Sequence, residues 1–293
     1  MGGQPVTSVL YDMPGPRARR RNRAISVGAS LLILALVAYV LWRFEATGQF
    51  EALRWKQLTL PAVQRELRDG LLATLKAGGL AAALALPFGV IAAAGRLSDH
   101  RLLRWPATAV VELFRAIPLL ILIFFFYYVP LDYGISIPTL WALVFGLTLY
   151  NGAVLAEIFR AGIVSVAKGQ SEAAYAVGMR KGQVTTLILL PQAVRAMLPT
   201  IVSQLVVLLK DTALGFIITY PELLYVGKQI GGRAVYGFPY IPTYLVVAAV
   251  YISMNTVLSL AANRLERRTR RSFKTTADFV PPPETGENAG GII

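Results

Sequence analysis

Four places in this sequence set ionisable side chains inside or at the edge of long apolar runs. Lys210, Asp211 and Thr212 interrupt VSQLVVLLKDTALGFIIT. Glu112 and Arg115 lie in VELFRAIPLLILIFFFYYV, with Pro118 just beyond them. Glu157 and Arg160 end the run that opens at Thr139, and Lys76 stands near the start of the run from residue 70. In a bilayer, a charge at mid-depth costs roughly 2.5–3.5 kcal/mol on insertion scales and needs a partner or water. The chemistry open to such groups is charge recognition: binding an ionic solute, gating, or pairing helices. Enzyme chemistry is poorly supplied. There is no cysteine, and the one histidine, His100, sits beside Asp99 in a short basic loop, as an exposed residue would. That argues against histidine-based catalysis, disulfides and His- or Cys-based metal sites.

Each charged place has a structural reading beside the functional one. Glu157 and Arg160 are three residues apart, so they share a helix face and can neutralise each other near the interface. Lys210 and Asp211 are neighbours and point different ways on a helix, so they cannot both serve one local pair. Their depth suggests a polar cavity, a substrate path or gate, with structural pairing as the alternative. Asn151, Ser203 and Gln204 add hydrogen-bonding groups, or join helices by ordinary polar contacts. Lys76 can snorkel outward.

The elements carrying these residues are membrane spans. The chain of 293 residues is 55% hydrophobic and 15% charged, with a mean hydropathy of +0.56. Soluble domains carry about 25% charged residues. Six runs are long enough to cross a bilayer, at 24–42, 70–95, 105–129, 139–165, 190–219 and 241–262. A soluble fold with buried helices is the competing reading, but core helices are normally amphipathic, and VELFRAIPLLILIFFFYYV is apolar nearly all round. The fold class expected is all-α, a polytopic helix bundle of six spans. The net charge of +13 first suggests nucleic acid. Its distribution fits a membrane instead: arginines cluster at 17–23, 96–104 and 264–271, all on one side if both termini are cytoplasmic. The loop at 130–138 has no Lys or Arg and falls outside. The 43–69 loop mixes both signs and is placed outside because every other loop requires it. A signal peptide competes for residues 17–42, but the run is long for one and no small-x-small cleavage site follows.

The organisation expected is a basic cytoplasmic tail at 1–23, an extra span with its outer loop at 24–69, a compact transmembrane domain at 70–262, and a disordered cytoplasmic tail at 263–293. ELFRA at 112–116 recurs as EIFRA at 157–161, an echo too short to prove a repeat.

Between the fourth and fifth runs the chain turns polar, in GQSEAAYAVGMRKGQ at 169–183. Ala173, Ala174 and Val177 share one helical face by spacing. Glu172 is expected in the first turn, where a negative charge suits the helix dipole. Gly178 permits the sharp turn that ends the helix. A short cytoplasmic helix with a flat face of small residues has nothing for chemistry and is shaped for docking.

This segment resembles the EAA signature of ABC importer permeases: E-A-A, three residues, G, nine residues, I, one residue, L-P. Here these are Glu172, Ala173, Ala174, Gly178, Ile188, Leu190 and Pro191, with every spacing met. ELFRAIPLL, AEIFRAGIVSVAKGQSEAA, LPQAVRAMLP and LLKDTAL are similar to the polar amino acid permeases, the histidine, glutamine and glutamate type. The resemblance spans about 70–262.

It implies a five-helix type I ABC importer core behind one added N-terminal helix. It also implies a permease in the bacterial plasma membrane that pairs with an identical or sister permease subunit. ABC ATPase subunits would dock on the EAA helix, and an extracellular substrate-binding protein would deliver an amino acid. No cofactor would be bound by this chain, and ATP and Mg would sit on the partner ATPases. The chain has no G-x-x-x-x-G-K-[ST] loop, so ATP hydrolysis must lie elsewhere. The added helix and its outer loop resemble glutamate-type permeases of actinobacteria. Transport would follow alternating access, with Glu172, Ala173, Ala174, Gly178, Ile188 and Pro191 coupling to the ATPase. Lys210, Asp211, Thr212, Glu112, Arg115, Glu157, Arg160 and Asn151 are the candidates for the substrate path or gate. The alternatives are an autonomous ion-coupled carrier or channel, which leaves the EAA helix unexplained, and a membrane enzyme, whose catalytic cluster is missing.

Overall fold

The computed structural model describes residues 15–277. The flanking segments expected as parts of the tails, 1–14 and 278–293, lie outside the described residues. Among the described residues every regular element is a helix. Five helices are long and apolar enough to span a membrane, or six if a sharply bent pair is taken as one span.

Helix α1 (Pro16–Ala46) carries the basic stretch and the first apolar run without a break and buries no residue against the rest of the chain. The boundary expected at residue 23 therefore falls inside a helix. In lipid this needs no explanation, because its backbone bonds are internal and its apolar side chains are solvated by acyl chains. A short helix, α2 (Ala52–Lys56), leads to α3 (Pro61–Arg96). Residues 61–69, expected in a loop, are thus the first turns of α3. Pro61 starts it, its fixed φ and missing N–H costing nothing at a helix start. At 36 residues α3 is about 54 Å long, more than a hydrocarbon core of about 30 Å, so its first turns stand clear of the membrane.

The third span departs most from expectation. The run at 105–129 is not one helix but two, α4 (Arg101–Ala116) and α5 (Leu119–Asp132), bent by 97°. Pro118 disfavours helical geometry at the residue before it, and Ile117 is extended (φ −81°, ψ 127°). Glu112 and Arg115 therefore lie on α4, ahead of the bend, and not within a spanning helix as expected.

Helix α6 (Thr139–Val164) is the centre of the bundle, with buried residues along its whole length from Ala142 to Gly162. It packs on α3 through small residues. A Cβ on Gly89 would meet the Gly152 carbonyl at 3.1 Å, and one on Gly152 would meet the Ala85 carbonyl at 3.2 Å. Such close approach gains dispersion contacts where no hydrophobic force between helices exists. The short α7 (Lys168–Ala176) and α8 (Lys181–Gln183) follow. A π-helical turn over Val184–Leu189 then leads into α9 (Leu190–Asp211), and a 3₁₀ stretch over Thr212–Ile218 ends that crossing. Helix α10 (Leu223–Gly231) is short, and α11 (Tyr240–Ala277) is the last. The tail expected from residue 263 begins inside α11, in a stretch rich in Ala, Leu, Glu and Arg, all good helix formers.

Candidate functional site

The docking-shaped segment forms a helix on the surface. In α7 only Ala174 is buried, while Glu172, Ala173, Tyr175 and Ala176 are exposed. Val177, just past its end, is 78% exposed. Ala174 thus turns inward, away from the face expected to hold it with Ala173 and Val177. The helix starts at Lys168, so Glu172 lies in its second turn and not its first. Gly178 takes the left-handed conformation (φ 81°). Its N–H donates to the Tyr175 carbonyl (2.9 Å), and the Met179 N–H donates to the Ala174 carbonyl (3.2 Å). That pair of bonds is a Schellman cap, which favours glycine at this position. The Gln192 amide donates to Gln170 (3.2 Å) and ties α7 to α9. Ile188 lies partly buried in the π turn and Pro191 is exposed at the start of α9. An ion pair between Lys181 and Asp99 holds the α3–α4 loop against the same region. The Lys181 ammonium keeps the Asp99 carboxyl below its usual range.

On the α7 side of the bundle the arginines and glutamates converge. Arg96, at the end of α3, pairs with Glu112 of α4 (3.0 Å) and with Glu157 of α6 (3.1 Å). Arg160 forks onto Glu157 with bonds of 2.6 and 3.1 Å. Arg115 is within 3.7 Å of Glu112. Three helices are joined by these five residues. Sequence reasoning had counted Arg96 only as a loop cation, since nothing local relates it to a glutamate sixteen positions on.

The mid-membrane charges are arranged differently. Asn151 is fully buried, accepts from the Gln204 amide (2.8 Å) and lies beside the Asp211 carboxyl. Thr212 is buried, its hydroxyl donating to the Leu209 carbonyl (2.6 Å). Lys210 points the other way. It is exposed, makes no salt bridge among the described residues, and lines a groove of about 800 Å³ between α9 and α11. The groove continues past Val206, Tyr244, Tyr251, Asn255 and Ser259.

Two residues of this region were missed. Glu222 is fully buried and caps α10, its carboxylate accepting from the backbone N–H of Leu224 (2.8 Å) and Tyr225 (2.7 Å). It also accepts from the Tyr251 hydroxyl (2.8 Å). The sequence held little signal for it, an acid directly before the apolar stretch LLYVG, because glutamate is not among the residues that favour an N-cap. Asn255 is buried at 8% exposure; its amide N–H donates to the Tyr251 carbonyl (2.7 Å), and its Oδ1 has no protein partner.

A helical membrane bundle with a docking-shaped surface helix between two spans is the plan of a transporter's membrane subunit. Residues 85–271 match the family described as binding-protein-dependent transport system inner membrane component, and the chain belongs to that family. The chain is 43% identical over 246 residues to the glutamate transport system permease protein GluD of Corynebacterium glutamicum, covering 82% of this chain and 89% of that protein. It is 40% identical over 202 residues to the probable glutamine ABC transporter permease protein GlnP of Bacillus subtilis, covering 69% and 93%. The crystal structure of an amino acid ABC transporter with histidines superposes with a TM-score of 0.68 at 29% identity, over 72% of this chain and 97% of the other. The MetNI methionine ABC transporter, at 23% identity and a TM-score of 0.59, shows the fold alone, over 72% and 99%. The family read from the spacing of Glu172 to Pro191 is borne out. The chain is a multi-pass permease subunit of an amino acid ABC importer, and ATP hydrolysis belongs to separate subunits. An autonomous carrier is thereby set aside.

Proposed function

We propose that this chain lines the path of an importer for glutamate or a closely related polar amino acid. The reading is supported most directly by α7, a surface helix whose end is set by Gly178 and whose outer face is left uncovered. ABC ATPase subunits, carrying ATP and Mg, dock there and drive the two states of the bundle, because a ligand shifts an equilibrium only by its differential affinity for the states. Glu172, Ala173, Gly178, Ile188 and Pro191 transmit the movement, and Ala174 seats α7 on the bundle. A second permease copy or a sister subunit completes the path. An extracellular binding protein delivers the substrate on the opposite face.

With six crossings both termini lie on the α7 side, where the arginines cluster. The compact domain at 70–262 is the transport unit, and α1 with its outer loop is an addition to it. The path runs along the face bearing Lys210, since an unpaired lysine at mid-depth belongs in a wet cavity and not in lipid. Asp211, Thr212 and Asn151 brace that face from behind. Glu112, Arg115, Glu157 and Arg160, expected as path residues, fit better as a clamp, because with Arg96 each is paired with an opposite charge. Glutamate is favoured because the relative at 43% identity is named for it. The test is uptake by the reconstituted complex, with unlabelled glutamate, glutamine, arginine and histidine competing. Inhibition by glutamate and not by arginine is expected. Uptake without ATP would overturn the reading.

A further inference from the structure

We infer that α4 is an interfacial helix that binds an anionic phospholipid, with its apolar stripe among the acyl chains and Arg101 and Arg104 on the headgroup phosphate. The inference goes beyond the importer reading and needs only that the chain sits in a membrane. The limb that runs with the bundle is α5, which packs along α6. A Cβ on Gly146 would meet Ile123 at 2.8 Å, and the Phe126 and Phe145 rings lie 5.8 Å apart. The 97° bend therefore lays α4 across the ends of the spans, close to the membrane plane.

Three stripes run along α4 by helical spacing. Ala107, Val111 and Phe114 turn to the bundle. Val111 is fully buried, Phe114 packs on the core, and a Cβ on Gly95 of α3 would meet the Ala107 Cβ at 2.8 Å. Leu102, Trp105, Ala109 and Leu113 form a second stripe, left uncovered, with Leu102 89% and Trp105 74% exposed. Arg101, Arg104, Thr108, Glu112 and Arg115 form the third. A helix with one face on protein, one apolar and one charged satisfies all three where lipid meets water, the depth that tryptophan also prefers.

Within the charged stripe Glu112 is paired with Arg115 and with Arg96. Arg101 and Arg104 are exposed and make no salt bridge among the described residues. Asp99, the nearest acid in sequence, is held by Lys181. The two arginines thus call for an anion at headgroup level, directly beside a face that calls for hydrocarbon. An anionic phospholipid supplies both at once: a phosphate, which guanidinium groups match bidentately, and acyl chains for Leu102 and Trp105.

The experiment uses the permease with a cysteine-free ATPase partner, reconstituted in phosphatidylcholine vesicles with and without phosphatidylglycerol. Leu102→Cys carries a fluorophore on the apolar stripe. Quenching by brominated phosphatidylglycerol, compared with brominated phosphatidylcholine, reads which lipid lies there. Both should quench, with phosphatidylglycerol preferred. Arg101→Gln and Arg104→Gln should each cut that preference about fivefold, one cation's attraction to an anionic surface. Quenching by phosphatidylcholine should stay unchanged in these variants, which a displaced helix would not give. Arg101→Lys should keep most of the preference. No quenching by either lipid would mean that protein covers the stripe, and overturns the inference. So does equal quenching by both lipids, or a preference that survives the double Arg101→Gln/Arg104→Gln change. None of these readouts uses transport, so their failure leaves the importer reading in place.

Discussion

Two polar regions of this bundle use the same kinds of residue to opposite ends. On the α7 side Arg96, Glu112, Arg115, Glu157 and Arg160 pair across three helices, and each charge has an opposite one within 3.7 Å. At the end of α9 Asp211 is turned to Asn151, while Lys210 faces a groove with no salt bridge among the described residues. A closed network can be explained by architecture alone. A lone cation within an apolar span is less easily explained that way, because a charge there is costly unless it meets a partner or water. On the function proposed above, the difference separates a clamp from a path where the sequence placed both groups together.

Substitutions in the two regions are expected to have opposite signatures. The largest effect is expected outside both regions, at α7, the helix proposed to drive them. Gly178→Asp puts an L side chain at φ 81°, and Glu172→Lys reverses charge on the exposed face. Both should abolish ATP-driven uptake with membrane levels unchanged on immunoblots. Normal uptake by both would remove α7 from the mechanism.

Next, Lys210→Met should lower uptake at least about tenfold, the loss of one charged bond. Its thermal midpoint in detergent should hold or rise, because a charge with no salt bridge among the described residues has been removed. A fall in that midpoint would instead make Lys210 structural. Asp211→Asn should impair transport less, with ATPase binding intact, since Asn151 can still hydrogen-bond the amide. Loss of assembly would argue for a structural pair.

Arg96→Met should do the reverse of Lys210→Met. It removes the tie from α3 to two carboxylates that keep Arg115 and Arg160, and the expected cost is about 1 kcal/mol of stability, small because Glu112 is more than half exposed. A lower thermal midpoint with the substrate Kd unchanged is the expected result.

The smallest effect belongs to Asp99. Its carboxyl is held low by Lys181, so the contribution of the pair is complete above the unfolded value of about 3.9 and is lost as pH falls below it. Asp99→Asn should change uptake at pH 7 by less than about twofold, as exposed pairs do.

Much of this was legible in the chain because the membrane imposes simple rules. Length and hydropathy found the spans, and the spacing from Glu172 to Pro191 found the family. What could not be read is where helices meet. Pro118 was visible, but not that it would bend the third span by 97° and carry Glu112 and Arg115 to the ends of α3 and α6. Arg96 joins residues distant in sequence, and no periodicity relates them. Glu222 and Asn255 were hidden for another reason. A buried carboxylate capping a short helix, and an amide whose free oxygen matters only because its N–H is spent, are recognised by the company they keep. Ala174 was misplaced on α7 because helical spacing tells which residues share a face, not which face looks out.

The chain contains no cysteine, so a single one can be introduced without background. Ala173→Cys on the exposed face of α7 should cross-link to a cysteine on the ATPase subunit in the reconstituted complex, with an efficiency that changes between nucleotide-free and ATP-bound states. Labelling of that cysteine by an impermeant reagent from outside intact cells, with no capture of the ATPase in either state, would contradict the assignment of α7 as the point at which ATP binding moves the bundle.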